Sequence, residues 1–166
     1  MNLFLLRHGL AVEPGAAGYG KDADRPLTPK GERKLRRAAE TMKALDLSFD
    51  LILSSPYLRA RQTAAILAKA LNAQERLELS GSLAPGNAAR TIIECLRRLP
   101  MPDNVLLVGH EPGLSQLIAL LVAGDSGLSV SMKKGGLCKL SAESLKPGRC
   151  ATLEWLLTPK QMALMA

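Results

Sequence analysis

The sequence predicts a parallel α/β domain, and three observations carry that reading. Short apolar runs alternate with longer stretches of helical period along the chain. The early runs NLFLL, DLILS and NVLLVG are apolar at successive positions, as in strands buried on both faces. No internal repeat or low-complexity linker divides the 166 residues, so a single domain over 1–166 is expected.

The first strand, NLFLL, stops abruptly at Arg7, His8 and Gly9. From Leu10 to Leu27 the chain is rich in Gly, Ala and Asp and has no clear period, so it reads as a surface loop. Loops of this length inside compact domains are usually functional. The first helix starts at Thr28, whose hydroxyl can cap it, with Pro29 at the first helical position, where a missing N–H does no harm. It runs to about Asp46, with Leu35, Ala38, Met42 and Leu45 inward and Arg33, Arg36, Arg37 and Glu40 outward.

A strand at Asp50 to Ser54 follows, then a helix from near Tyr57 whose stripe is Ala60, Ala64, Leu67 and Leu71. Glu78 falls in a short strand, a third helix covers roughly 87–99, and Asn104 to Gly109 is the fourth strand. After Pro112 a fourth helix places Leu114, Leu117, Ile118 and Leu121 on one face. The runs GLCKLSA and CATLEWLLT, separated by a stretch with Pro147 and Gly148, close the sheet as a hairpin.

Composition narrows the function classes. Hydrophobic residues at 47% and charged residues at 22% are globular values that argue against disorder. The apolar stretch Leu3 to Leu6 is too short for a secretion signal, and nothing approaches the roughly 18 apolar residues of a membrane span. A cytoplasmic protein without a membrane partner is expected. Cys95, Cys138 and Cys150 form no CxxC pair and read as buried free thiols, not a disulfide framework or zinc site. A net charge of +7 admits nucleic-acid binding. However, the densest basic run, KGERKLRRAAE, reads as a solvated helix face, and 3% aromatic residues leave little for base stacking. No nucleic-acid partner is expected, a monomer is the default, and attraction to an acidic or phosphorylated protein fits the charge.

In a parallel sheet, residues just past the strand C-termini share one edge, and ligands bind there. The first strand delivers Arg7, His8 and Gly9, the second leads into SSPYLRARQT with Arg59, and the fourth delivers His110. The chain has 2 histidines, and both follow a predicted buried strand directly. Arginine forks match phosphate oxygens, a helix N-terminus adds aimed N–H groups, and a glycine at position 9 would let backbone approach the anion. Neutral imidazole carries a nucleophilic lone pair, so His8 is a candidate to attack phosphorus and form a phosphohistidine that water then releases. His110, if protonated, would join the arginines around the equatorial oxygens.

The segments LLRHG, LTPKG, SSPYLRARQTA and GHEPGLS, in this order and over nearly the whole chain, resemble the histidine phosphatase superfamily of phosphoglycerate mutase-like proteins. The match extends to its short phosphohistidine phosphatase (SixA) branch. The resemblance implies a three-layer α/β/α sandwich with a mostly parallel central sheet. It also implies a catalytic set of His8, Arg7, Arg59 and His110, with no metal and no cofactor. Gly9, Arg25 of the DRPLT segment and Glu111 beside His110 complete the candidate substrate contacts.

The sequence departs from the family in one respect. Larger members carry an acid after the third-strand region that protonates an alkoxide leaving group, whereas ERLELSGSLAPGNAAR offers Glu75 and Glu78 without a recognisable equivalent. Glu111 is the alternative acid, or it orients the pocket, or it lies at the next helix N-terminus, where negative charge is favoured. Imidazole leaves an N–P bond far more readily than an alkoxide leaves an ester. The expected substrate is therefore a phosphorylated protein such as a histidine phosphotransfer domain, with a small phosphate ester or anhydride as the alternative. With a single long loop nearby, the site is expected to be shallow and open.

Overall fold

A computed structural model of the chain describes every residue except Met101, Ser126 and Ala166. The strands are β1 (Asn2–Arg7), β2 (Leu51–Ser54), β3 (Leu77–Leu79), β4 (Asn104–Gly109), β5 (Leu137–Ala142) and β6 (Ala151–Leu157). The helices are α1 (Pro29–Ala44), α2 (Leu58–Ala70), α3 (Ala89–Arg97), α4 (Gly113–Ala123) and a short α5 (Pro159–Met162). They form one six-stranded sheet in the order β3-β2-β4-β1-β5-β6. The first four strands pair in parallel, while β5 runs antiparallel to β1 and β6 antiparallel to β5.

Successive strand residues point to opposite faces, and the two hydrophobic cores follow from that alternation. Leu3, Leu5, Val105 and Leu107 pack with Ile93 and Leu96 of α3 and Leu114 and Leu117 of α4. Phe4, Leu6, Leu106 and Val108 face the other way, onto Ala38 and Met42 of α1 and Ala64 and Leu67 of α2. Strands sandwiched between helical layers need apolar residues at every position, which is why NLFLL and NVLLVG lack alternation. The fold is the expected α/β/α sandwich. Among the described residues no helix is long and apolar enough to cross a membrane.

Local chemistry sets the element boundaries. Thr28 caps α1 by accepting from Gly31 N–H at 3.0 Å, with Pro29 behind it. Leu45, expected on the inward stripe, lies just past the end of α1 and is 37% exposed. The thiols also differ in part from expectation. Cys138 is buried, which pushes its thiol up to about 12, whereas Cys95 and Cys150 are half-buried, and all are free.

The winding direction positions the site. From β1 the chain travels through α1 to β2, on the far side of β4; from β4 it travels through α4 to β5, on the far side of β1. Neighbouring strands whose connections depart in opposite directions leave a crevice at their C-terminal ends. Here those ends are Arg7 and Gly109, which are register partners.

Gly31 fixes how closely α1 meets the chain leaving β1, because a Cβ there would collide with the backbone carbonyl oxygen of Leu10. Replacing a helical glycine by alanine ordinarily stabilises by about 1 kcal/mol. Gly31→Ala is expected instead to destabilise by roughly 1–3 kcal/mol, the usual range for overpacking. Urea denaturation checks the sign, and a variant at least as stable as the parent would refute this account of the α1 docking.

Candidate active site

The chain leaves β1 and β4 side by side, so His8 and His110 meet. His8 N–H donates to Gly109 carbonyl oxygen at 3.0 Å, and the two imidazole rings lie 5.0 Å apart between centroids. Arg59 enters from the first turn of α2 and places its Nε 3.3 Å from His8 Nε2. All three side chains are buried, with exposures of 6% for His8, 5% for His110 and 3% for Arg59.

The hydrogen bonds of His8 define its tautomer. Nδ1 lies 2.8 Å from the Gly9 carbonyl oxygen, which can only accept, so Nδ1 carries the proton. Nε2 is then the lone-pair nitrogen, and it faces the Arg59 Nε–H donor. Burial is the largest influence on the ring; the Gly9 contact opposes it, but Arg59, Arg7 and Lys134 add to it, and the pKa falls to about 4. His8 is neutral at physiological pH, with its nucleophilic atom pointing at the cationic cluster.

His110 Nε2 pairs with Ser55 Oγ at 2.8 Å, and Ser55 Oγ accepts from Tyr57 N–H. Burial lowers its pKa first, His8 and Arg59 lower it further against the opposing charge of Asp22, and the result is about 3. The condition set for His110, that it be protonated, is not met at physiological pH, where the ring is neutral. If the Ser55 hydroxyl donates to Nε2, the ring proton sits on Nδ1, and His110 would then serve a bound anion as a neutral N–H donor. Tyr57 braces both neighbours, its ring edge-on to His110 at 5.3 Å and beneath the Arg59 guanidinium at 5.1 Å.

Arg7 donates from one terminal nitrogen to Met132 carbonyl oxygen at 2.8 Å. Arg7 Nε and His110 Nδ1 are buried polar side-chain atoms without a hydrogen-bond partner among the described residues. Unpaired buried donors are costly. An oxyanion held between the two strand ends would satisfy both.

The remaining candidates sit differently from expectation. Gly9 offers no N–H to the pocket, because that group donates to Thr63 Oγ1 at 3.1 Å. Its lack of a side chain serves packing instead, since a Cβ would lie 2.7 Å from Leu35 Cδ1. Glu111 accepts from Ser115 N–H at 3.2 Å in the first turn of α4, the contact that its helix N-terminus reading implies. Glu78 lies exposed on β3, as its strand assignment implied. Arg25 does not reach for an anion: its Nε and a terminal nitrogen hold Asp22 Oδ1 at 2.7 and 2.6 Å, and its other terminal nitrogen donates to Val12 carbonyl oxygen.

Asp22 is the residue that sequence reasoning missed. Its carboxylate lies 2.8 Å from one Arg59 terminal nitrogen while its backbone carbonyl accepts from the other at 2.7 Å. Partial burial raises its pKa, but hydrogen bonds and charge from Arg25 and Arg59 outweigh that and hold the carboxyl below the usual range. The available signal was its place in the loop marked as functional, three residues before a candidate arginine. The segment before β5 was missed as well. Gly135 N–H bonds to the carbonyls of Arg7 and His8 at 3.0 Å, and Lys134 adds positive charge beside His8. His8, His110 and Arg59 are buried, and the turn that carries Asp22 lies against Arg59.

Residues 3–83 match the family model described as histidine phosphatase superfamily, branch 1. The chain is 39% identical over 142 residues to an uncharacterized Picosynechococcus protein, covering 84% of each. It is 30% identical over 128 residues to the phosphohistidine phosphatase SixA of Escherichia coli, covering 76% of this chain and 77% of that one. A solved structure of the protein histidine phosphatase SixA complexed with tungstate superposes with a TM-score of 0.81 at 28% identity, covering 96% of this chain and 98% of that one.

The depressed imidazole values carry a definite sign. Unfolded histidines titrate near 6.5, so between that pH and about 4 the unfolded chain binds protons that His8 and His110 do not. Stability is expected to fall as the pH drops through this window. In the free protein, NMR titration is expected to find neither ring more than slightly protonated at pH 6; a ring titrating near 6.5 would contradict the desolvated pocket.

Proposed function

The chain belongs to the histidine phosphatase superfamily, in its SixA branch, and is a phosphatase; from that premise we propose that it removes phosphate from phosphohistidine displayed on another protein, such as a histidine phosphotransfer domain. The observation that carries this reading is the His8 tautomer, with Nδ1–H committed to Gly9 and the Nε2 lone pair facing the Arg59 Nε–H. His8 Nε2 attacks phosphorus, the bond to the substrate nitrogen breaks, and the phosphoryl group rests on His8 until water displaces it. Arg7, Arg59 and the His110 N–H surround its oxygens, supplying positioning and charge with little other chemistry needed. The related protein's capture of tungstate, a tetrahedral oxyanion, supports such a pocket.

The carboxyl groups favour an N–P substrate over an ester. An alkoxide needs a proton as it leaves. Glu111 is committed to α4, Glu78 is exposed on the edge strand, and Asp22 is held ionised by two arginines. None is poised as an acid. The similarity to a phosphohistidine phosphatase points the same way. We further propose that the reaction is metal-independent, with the arginines supplying the charge.

The test is loss of phosphate from a phosphorylated histidine phosphotransfer domain, run beside an aryl phosphate. The native protein is expected to act on the first, and His8→Ala to lower turnover by at least about a thousandfold. Hydrolysis of the aryl phosphate alone would replace the substrate by a small ester, and undiminished activity in His8→Ala would remove the nucleophile. Dialysis against EDTA is expected to leave the rate unaltered; loss restored by a divalent ion would overturn metal independence.

A further inference from the structure

Asp22 is the carboxylate bound to Arg59, and the proposed reaction leaves it without a part. If it served solely to neutralise Arg59, burial with its partner would suit it. Instead the exposures are asymmetric: the Arg59 side chain is 4% exposed and the Asp22 side chain 50%. The carboxylate thus reaches solvent while the guanidinium it holds at 2.8 Å does not. Arg25 from its own loop and Arg59 from α2 grip it, and His110 beyond β4 senses its charge. Lys134, from the segment before β5, faces His8 and is 3.7 Å from Glu13. Asp22 is therefore a fixed, half-exposed anion bordering a cationic pocket, which is the wrong charge for attracting phosphate.

We propose that Asp22 receives the leaving group: its carboxylate accepts the N–H of the substrate imidazole at the ring nitrogen that is not bonded to phosphorus. The inference rests on the phosphohistidine reading above. When the ring is protonated at that distal nitrogen, the phosphorus–nitrogen bond breaks with its electron pair returning to the substrate nitrogen. The bond from phosphorus to His8 Nε2 forms in the same step. The group that departs is neutral imidazole with its proton still on the distal nitrogen, so no general acid is needed. A carboxylate beside that N–H favours the protonated ring and strengthens as a partner through its charge. An ester oxygen brings no such hydrogen, and an anionic neighbour such as a substrate carboxylate would be repelled. Asp22 thus selects for a cationic leaving group, a task different from protonating one.

Asp22→Asn separates this role from simple support of Arg59, because the one amide oxygen can still accept from the Arg59 guanidinium while the charge, and with it the Arg25 partner, is lost. The substrates are a histidine peptide phosphorylated by phosphoramidate and p-nitrophenyl phosphate, each assayed across pH with the native protein and with Asp22→Asn. The peptide kcat/KM is expected to fall at least about tenfold further than the aryl phosphate value, a difference of about 1.4 kcal/mol. The alkaline limb of the peptide profile is expected to move to lower pH. Equal losses on both substrates, or an unmoved limb, would reduce Asp22 to a support for Arg59 and overturn the proposal. Failure of the native protein on the peptide, with aryl phosphate still hydrolysed, would instead remove the phosphohistidine premise, and the two failures are told apart by the native protein alone.

Discussion

The parallel pairing of β1 with β4 is the constraint on which the site depends. Its register sets Arg7 against Gly109, and the next hydrogen bond, from His8 N–H to Gly109, fixes where both imidazoles emerge. Strand pairing is held by backbone bonds and by two cores, one on each face, so the placement of the histidines is as rigid as the domain. A slip of one residue would exchange the faces of every strand residue and part the rings. The catalytic arrangement is therefore secured by Leu5, Leu6, Leu106 and Leu107, which touch no substrate but are fully buried on their two sides.

Against that rigid base the electrostatics is arranged to be incomplete. Two arginines and two histidines share a buried space, and the cost of gathering positive charge is contained by keeping both imidazoles neutral and by bringing Asp22 to Arg59. Arg7 Nε and His110 Nδ1 have no partner among the described residues. A well-packed core does not leave donors in this state without a use for them. Bound phosphoryl oxygens would complete the set, matching it in charge and shape together.

The fold was legible because the strands are buried on both faces and the helices carry marked ends. Thr28 with Pro29 announces α1, and NLFLL and NVLLVG announce their strands without ambiguity. His8, Arg59 and His110 were legible because strand ends in a parallel sheet converge. What escaped was contact made by loops. Nothing in the period of residues 10–27 states that Arg25 turns inward to Asp22, or that Asp22 reaches Arg59 across 37 residues of sequence. The role of Gly9 was misread for a related reason: its neighbour is Leu35, a helix residue whose approach depends on how α1 docks. Glu111 looked like a pocket residue from its adjacency to His110, while the unpaired N–H groups at the start of α4 claimed it.

Among the described residues, the long loop is fastened toward its two ends. Ala11 bridges to Leu27, and Asp22 is clasped by Arg25 and Arg59. Gly15 and Gly18, between those fastenings, take left-handed backbone, and a Cβ added at either would meet nothing within 4 Å. The apex is consequently decoupled from the chemistry: chain added or exchanged there lengthens a free arc without pulling on the aspartate. Reach toward the body of a partner protein and selection at the reacting atom are thereby governed by separate parts of one loop, so that either can be altered while the other stands.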